Sequence, residues 1–262
     1  SSDNVPRNPQ QSVDIQNIPA ARLSSRRLVL LGKTGVGKSA AGNTILGQRE
    51  FISEGGKRSV TRECSVALAT VSGRKVSVVD TPPFFDTKMN PEAFMTEIMK
   101  SVYLSSPGPH AFLIVFPVSM RITDQELQIP QITEMMFGEE VLKYSIILFT
   151  YGDQLKTHDL EEIMKENSGL RRLVNQCGGR YHVFNNKDLN NREQVNDLLQ
   201  KIDSIAQNRG GHYSNQMYED KSFQFLERKC ETMSILEPWN VITFTMHHNA
   251  DVRDPNIHTH SV

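Results

Sequence analysis

Eight residues, Gly32-Lys33-Thr34-Gly35-Val36-Gly37-Lys38-Ser39, restrict the possible folds of this chain more than any other stretch. They match G-x-x-x-x-G-K-[ST], in which glycines let the backbone curl until successive N–H groups converge on an anion. The pattern requires a strand before it and a helix after it. Residues 28–31 (Leu-Val-Leu-Leu) are a short apolar run of the kind buried in parallel sheets, and a helix is expected from near Lys38. In that setting the positive end of the helix adds to the amide cradle. Lys38 is then expected to bridge β- and γ-phosphates, and Ser39 to ligate Mg2+. The competing explanation, a chance match in a glycine-rich turn, lacks this context.

Beyond the motif, strands and helices alternate. Segments 66–71 and 75–79 flank Ser72-Gly73-Arg74 and predict a hairpin; 111–116 and 145–149 read as buried strands, and 181–184 as a short one. Helices are expected over 91–104 and 160–174, the latter broken near Ser168-Gly169. Another, lined by Val195, Leu198, Leu199, Ile202 and Ile205, is stopped by Gly210-Gly211. Thr123 and Glu126 form a capping box opening a further helix, with a kink expected at Pro130. A more charged helix is expected over 214–231. This order predicts an α/β P-loop NTPase fold: a mostly parallel sheet with one antiparallel hairpin strand, helices on both faces, and an extra C-terminal helix. The expected division is a flexible leader (1–24), a nucleotide-binding domain (25–211), an appended helix (212–232) and an irregular tail (233–262).

Composition excludes several other classes. Lys and Arg total 29 against 30 Asp and Glu, so no strong field draws the chain to nucleic acid. The longest apolar run, 111–118, is far too short for a bilayer span. The tail contains Trp239 and Phe244 but is cut by Glu237, Pro238, Asn240 and His247; no transmembrane segment is expected, while peripheral contact with an intracellular membrane stays open. Cys64, Cys177 and Cys230 are too far apart for metal-ligand spacing and suit a reducing compartment, so a cytoplasmic protein is expected. The histidines at 247, 248, 258 and 260 lack acidic or cysteine partners, and no nucleophile–base set stands out.

Two aspartates carry the remaining chemistry. Asp80 ends a strand, where it suits a Mg2+ contact through water; the alternative is an ordinary strand-end Asp starting a turn. Thr61, in the loop between, is positioned to close over Mg2+. Asp153 follows the strand at 145–149 within Thr150-Tyr151-Gly152-Asp153. A carboxylate there accepts from guanine N1–H and N2–H2, whereas adenine would leave it unpaired, and such mismatches discriminate strongly. The alternative is a solvated turn residue.

The run from Leu30 through the P-loop to Ala40-Ala41-Gly42-Asn43-Thr44-Ile45-Leu46-Gly47 resembles the opening of the immunity-associated GTPases, the GIMAP/IAN family. The likeness continues at 59–64, Val79-Asp80-Thr81-Pro82, 85–87, Arg121-Ile122-Thr123, 148–153 and 180–187, together spanning roughly 26–230. It implies a GTP/GDP-binding, septin-like AIG-type G domain using Mg2+, with an extra helix after it. It also implies a base pocket from Thr150, Tyr151, Gly152 and Asp153 with Asn185 and Asn186, and Ser53 near the nucleotide in the first switch. Homo- or heterodimers with family members through the switch regions are implied as well.

The sequence departs from the usual GTPase pattern in its second switch. Where D-x-x-G supplies a glycine N–H to the γ-phosphate, this chain has Asp80-Thr81-Pro82-Pro83, and proline has no N–H. Losing a hydrogen bond to a charged group predicts about ten- to a hundredfold weaker GTP binding. Phe84 stands where many GTPases carry a glutamine that orients water. Arg121 occupies the position matching an arginine that active members offer across a dimer, which would stabilise transition-state charge; the alternative is a solvated Arg before a helix. Two readings follow: a slow GTPase aided by dimerisation, with Arg121 acting in trans, and a nucleotide-gated oligomeric scaffold with little hydrolysis. Asp153 opposes a third, an ATP-dependent kinase.

Overall fold

A computed structural model describes residues 25–53, 63–118, 122–155 and 160–214. Within them the chain runs β1 (Arg26–Leu31), α1 (Lys38–Leu46), β2 (Ser65–Val71), β3 (Arg74–Asp80), α2 (Pro91–Leu104), β4 (Ala111–Pro117) and α3 (Asp124–Leu127). It continues through α4 (Ile129–Phe137), a 3-10 segment (Glu139–Tyr144), β5 (Ser145–Thr150), α5 (Leu160–Glu166), α6 (Ser168–Gln176), β6 (Tyr181–Val183) and α7 (Glu193–Asn208). The strands form one sheet in the order β2-β3-β1-β4-β5-β6. Only the β2–β3 hairpin pair is antiparallel.

Every residue of β4 and β5 is buried. A strand buried at odd and even positions alike is covered on both faces, which is why these segments read as unbroken apolar runs. Leu28 of β1 pairs with Val78 on one side and Ala111 on the other, so the P-loop leaves the middle of the sheet. The reversal of strand order beside β1 opens a crevice at the carboxyl ends, where ligands of such sheets bind. Asp203 of α7 pairs with Arg26 at 2.7 Å and Arg74 at 2.8 Å, fastening the last described helix to β1 and β3.

Of four local expectations two are met and two are refined. Pro130 does not kink one helix; α3 ends at Leu127, and Pro130 lies in the first turn of α4, where a missing N–H costs no helical bond. The capping box at α3 is formed, with Glu126 N–H donating to Thr123 Oγ1 and Thr123 N–H to Glu126 Oε2. The break near Ser168 arises because Asn167 Oδ1 accepts from the N–H groups of Gly169 and Leu170, capping a new helix. The last strand ends at Val183, one residue earlier than expected.

Near the end of the described part Tyr213 sets its ring edge-on to Phe112 and donates its N–H to Pro109 O. The expected leader, most of the appended helix and the tail lie outside the described residues, as do Thr61 and Arg121. Among the described residues no helix is long and apolar enough to cross a membrane.

Candidate functional site

The turn from β1 into α1 takes a path that side chains resist. Gly32 has φ 153°, and a Cβ there would lie 2.8 Å from Val115 O; Gly37 has φ 92° and would press on Thr150 at 3.3 Å. Gly37 is also the N-cap of α1, with no side-chain cap and no acidic residue in the first turn. The first N–H groups of α1 therefore have no capping side chain, as an anion site at a helix start requires.

Inside this turn Lys38 is almost fully buried. Its Nζ donates to Gly32 O at 3.2 Å and Lys33 O at 3.1 Å. Burial pushes the ammonium down to about 8, with the Asp80 carboxylate opposing the shift. Asp80, buried at the end of β3, accepts from Ser39 Oγ at 2.5 Å. A hydroxyl and a carboxylate are hard oxygen donors suited to Mg2+. Among the described residues no group of three His, Cys, Asp or Glu side chains is arranged for a metal. Lys33 reaches from the loop to Glu126 Oε1 at 3.8 Å, linking the turn to α3.

The segment after Asp80 runs against the P-loop. Thr81 Oγ1 donates to Leu30 O at 2.6 Å, Lys33 bridges Phe84, and Phe84 N–H donates to Gly32 O at 3.1 Å. Pro83 is buried. The Phe84 ring is 1% exposed and packs edge-on against Phe94, so it belongs to the core. On the other flank, Asn43 Oδ1 accepts from the N–H groups of Glu50 and Phe51, and its Nδ2 lies 3.3 Å from Ser53 Oγ. Ser53 itself is exposed at the margin of the site.

A second loop pair approaches from β5 and β6. Thr150 Oγ1 donates to Val36 O at 2.6 Å, and the Tyr151 hydroxyl, on a residue with φ 59°, lies 3.3 Å from Gly35 O. Gly152 N–H donates to Phe184 O at 2.9 Å, joining the two loops. Asn186 Oδ1 accepts from Thr44 Oγ1 of α1 at 2.8 Å. Asn185 is held through its N–H by Gln194 Oε1. Asp153 is half-buried, with Oδ2 2.5 Å from Lys187 Nζ.

The structure thus gathers Gly32 to Ala40, Ser53, Asp80, Thr150 to Asp153, Asn185 and Asn186 around one end of the sheet. Sequence reasoning passed over Asn43, Gln194, Glu126 as partner of Lys33, and Lys187. The signal for Lys187 was its place directly after Asn185-Asn186. Cys64 and Cys177 take no part; burial pushes each thiol up to about 12, far from a reactive thiolate.

The profile of the AIG1 family matches residues 26–232. The chain belongs to the AIG1 family. Immune-associated nucleotide-binding protein 4 of Arabidopsis thaliana is 30% identical over 224 residues, covering 82% of this chain and 68% of that protein. Immune-associated nucleotide-binding protein 8 of the same plant is 36% identical over 200 residues, covering 73% and 57%. GTPase IMAP family member 8 of Homo sapiens is 34% identical over 197 residues, covering 74% and 30%. The match therefore spans only part of each of these AIG1 relatives. Among solved structures, Toc33 from Arabidopsis thaliana in complex with GDP and Mg2+ superposes with a TM-score of 0.57 at 18% identity, covering 73% of this chain and 89% of Toc33. Era in complex with MgGDPNP and ribosomal RNA gives 0.52 at 14% identity, covering 70% and 57%. These likenesses establish the G-domain fold.

Lys38 makes stability depend on pH. Below about pH 8 folded and unfolded chains both carry its proton, and the folded state bears the full cost of burying the charge. Between about 8 and 10.5 the unfolded chain keeps a proton that the folded chain has lost, so this residue makes stability rise with pH. In nucleotide-free protein, Lys38→Met is expected to be more stable than wild type below pH 8, with the gap narrowing by on the order of 3 kcal/mol towards pH 10.5. Denaturant unfolding across that range measures it; parallel curves for the two proteins contradict it.

Proposed function

We propose that this chain binds GTP and GDP with Mg2+ and hydrolyses GTP slowly, with catalysis aided by dimerisation. The observation that carries the binding reading is the Thr150 Oγ1 bond to Val36 O. It fixes the loop bearing Asp153 to the loop built for phosphate, so one rigid unit addresses both ends of a nucleotide. The names of the AIG1 relatives and the guanine nucleotides bound by Toc33 and Era point the same way.

In this reading the amides of residues 33–40 and the Lys38 ammonium hold the phosphates, Lys38 exchanging two carbonyl oxygens for phosphate oxygens. Ser39 and Asp80, with the Thr61 hydroxyl, would hold Mg2+, which would supply positive charge against the phosphates. Asp153 accepts from guanine N1–H and N2–H2, Tyr151, Gly152, Asn185 and Asn186 border the base, and Ser53 lies at the first-switch side. Hydrolysis joins a water oxygen to the γ-phosphorus and breaks its bond to the β,γ-bridging oxygen. GDP and phosphate leave, with the protons of the water passing to phosphate and solvent.

Several features limit this chemistry within one chain. Pro83 has no N–H to offer a γ-phosphate. Phe84 spends its N–H on Gly32 O and its ring in the core, so it does not orient water. These observations favour the second reading, a scaffold whose oligomeric state follows its nucleotide. Arg121 favours the enzyme, as a guanidinium supplied across a homo- or heterodimer. Dimerisation is important for the GTPase activity of the chloroplast translocon components atToc33 and psToc159. A cytoplasmic location suits the reading, and peripheral membrane contact is compatible with it.

Asp153→Asn is expected to weaken GDP by about ten- to a hundredfold while leaving ADP little changed, measured by calorimetry; equal losses for both contradict the base assignment. Phosphate release per molecule is expected to rise with protein concentration, and Arg121→Ala to abolish the rise. Turnover independent of concentration removes Arg121 from the reaction, and no turnover at any concentration leaves the scaffold.

A further inference from the structure

We infer that Lys187 gates the purine slot: its ammonium occupies the carboxylate of Asp153 in the nucleotide-free chain and lowers the preference for guanine over adenine. The inference deepens the guanine-binding reading and rests on it. Lys187 Nζ lies 2.5 Å from Asp153 Oδ2. Guanine uses both oxygens of that carboxylate, one for N1–H and one for N2–H2, so a cation on Oδ2 takes one of that oxygen's two lone-pair sites and partly neutralises it as an acceptor for the base.

The backbone on either side leaves little other means of opening the slot. Gly152 N–H is bonded to Phe184 O, and a Cβ at Gly152 would lie 2.7 Å from Val183. Beyond Phe184, Gln194 binds the loop at three points: it accepts from Asn185 N–H and donates to the carbonyls of Asn185 and Asp188. Lys187 N–H is itself tied to Asn185 Oδ1 at 3.0 Å. Both loops are therefore braced where the slot lies between them. Among the described residues of the two loops, the Lys187 side chain is a flexible four-carbon stem that is 73% exposed, whereas the Asp153 side chain is 22% exposed.

The competition acts on one base and not the other. Guanine's paired hydrogen bonds fall on a carboxylate that the ammonium already occupies on one oxygen and partly neutralises. Adenine carries an acceptor at N1 and makes no use of the carboxylate, so it loses nothing to Lys187. GDP and ADP share their phosphates, so their affinity ratio isolates the contest at the base. An exposed ion pair is a weak competitor, corresponding to about two- to fivefold in affinity, and salt screens it.

The test is calorimetric titration of GDP and ADP, each with Mg2+, into wild type and Lys187→Met, which keeps the apolar stem and removes the charge. At about 50 mM salt the GDP:ADP affinity ratio is expected to rise about two- to fivefold in Lys187→Met, and at about 500 mM the two proteins are expected to converge. A ratio in Lys187→Met at or below that of wild type at low salt overturns the gate and assigns Lys187 no role, or a supporting one, in base binding. Asp153→Ala in the same titrations separates the two levels. If it collapses the ratio while Lys187→Met leaves it unchanged, the gate alone fails; if it leaves the ratio unchanged, the guanine reading fails and the gate with it.

Discussion

An ammonium held by its own loop governs this structure. Lys38 donates to the carbonyls of Gly32 and Lys33, so the loop closes around a charge that burial disfavours. Without an anion the turn folds on itself; with one, the same ammonium has a stronger acceptor, since hydrogen bonds between charged partners are roughly twice as strong as neutral ones. The uncapped start of α1 and the left-handed backbone of Gly37 belong to the same design. A side chain at Gly32 or Gly37 would collide with β4 or β5 residues, so the loop is moulded by the sheet beneath it.

From this loop the rest of the site is hung by short hydrogen bonds. Thr81 ties the end of β3 to β1, Thr150 ties the end of β5 to Val36, and Thr44 ties α1 to Asn186. Each is a small hydroxyl reaching a carbonyl or amide oxygen, which holds geometry without adding charge near the phosphate cradle. Beyond Lys38 and Asp80 at the centre, charge is placed in pairs at the margins, in Lys33–Glu126 towards α3 and Lys187–Asp153 between the loops after β5 and β6. The centre is suited to grip an anion, and the margins to sense what is attached to it.

Much of this was legible in the sequence, for physical reasons that differ by element. The strands of the sheet centre were readable because burial on both faces leaves unbroken apolar runs, as at β4 and β5. The P-loop was readable because only glycine tolerates its backbone, and the α3 start because a capping box needs two residues at one spacing. Pro130 misled because a proline in the first turn of a second helix and one inside a single helix leave the same apolar pattern. The supporting residues Asn43 and Gln194 were not legible as such, since each acts through main-chain groups brought near by folding. Lys187 escaped for a related reason: its place after Asn185-Asn186 points to the loop, but its contact is set by a partner 34 residues away.

The central claim, that one rigid unit grips phosphate at Lys38 and reads guanine at Asp153, is tested most directly by titrating the unmodified chain with GDP and with ADP in the presence of Mg2+. The account predicts that GDP binds at one site per chain at least tenfold more tightly than ADP, on the order set by two hydrogen bonds to a carboxylate. Equal affinity for the two nucleotides, or no heat of binding from either, would contradict it.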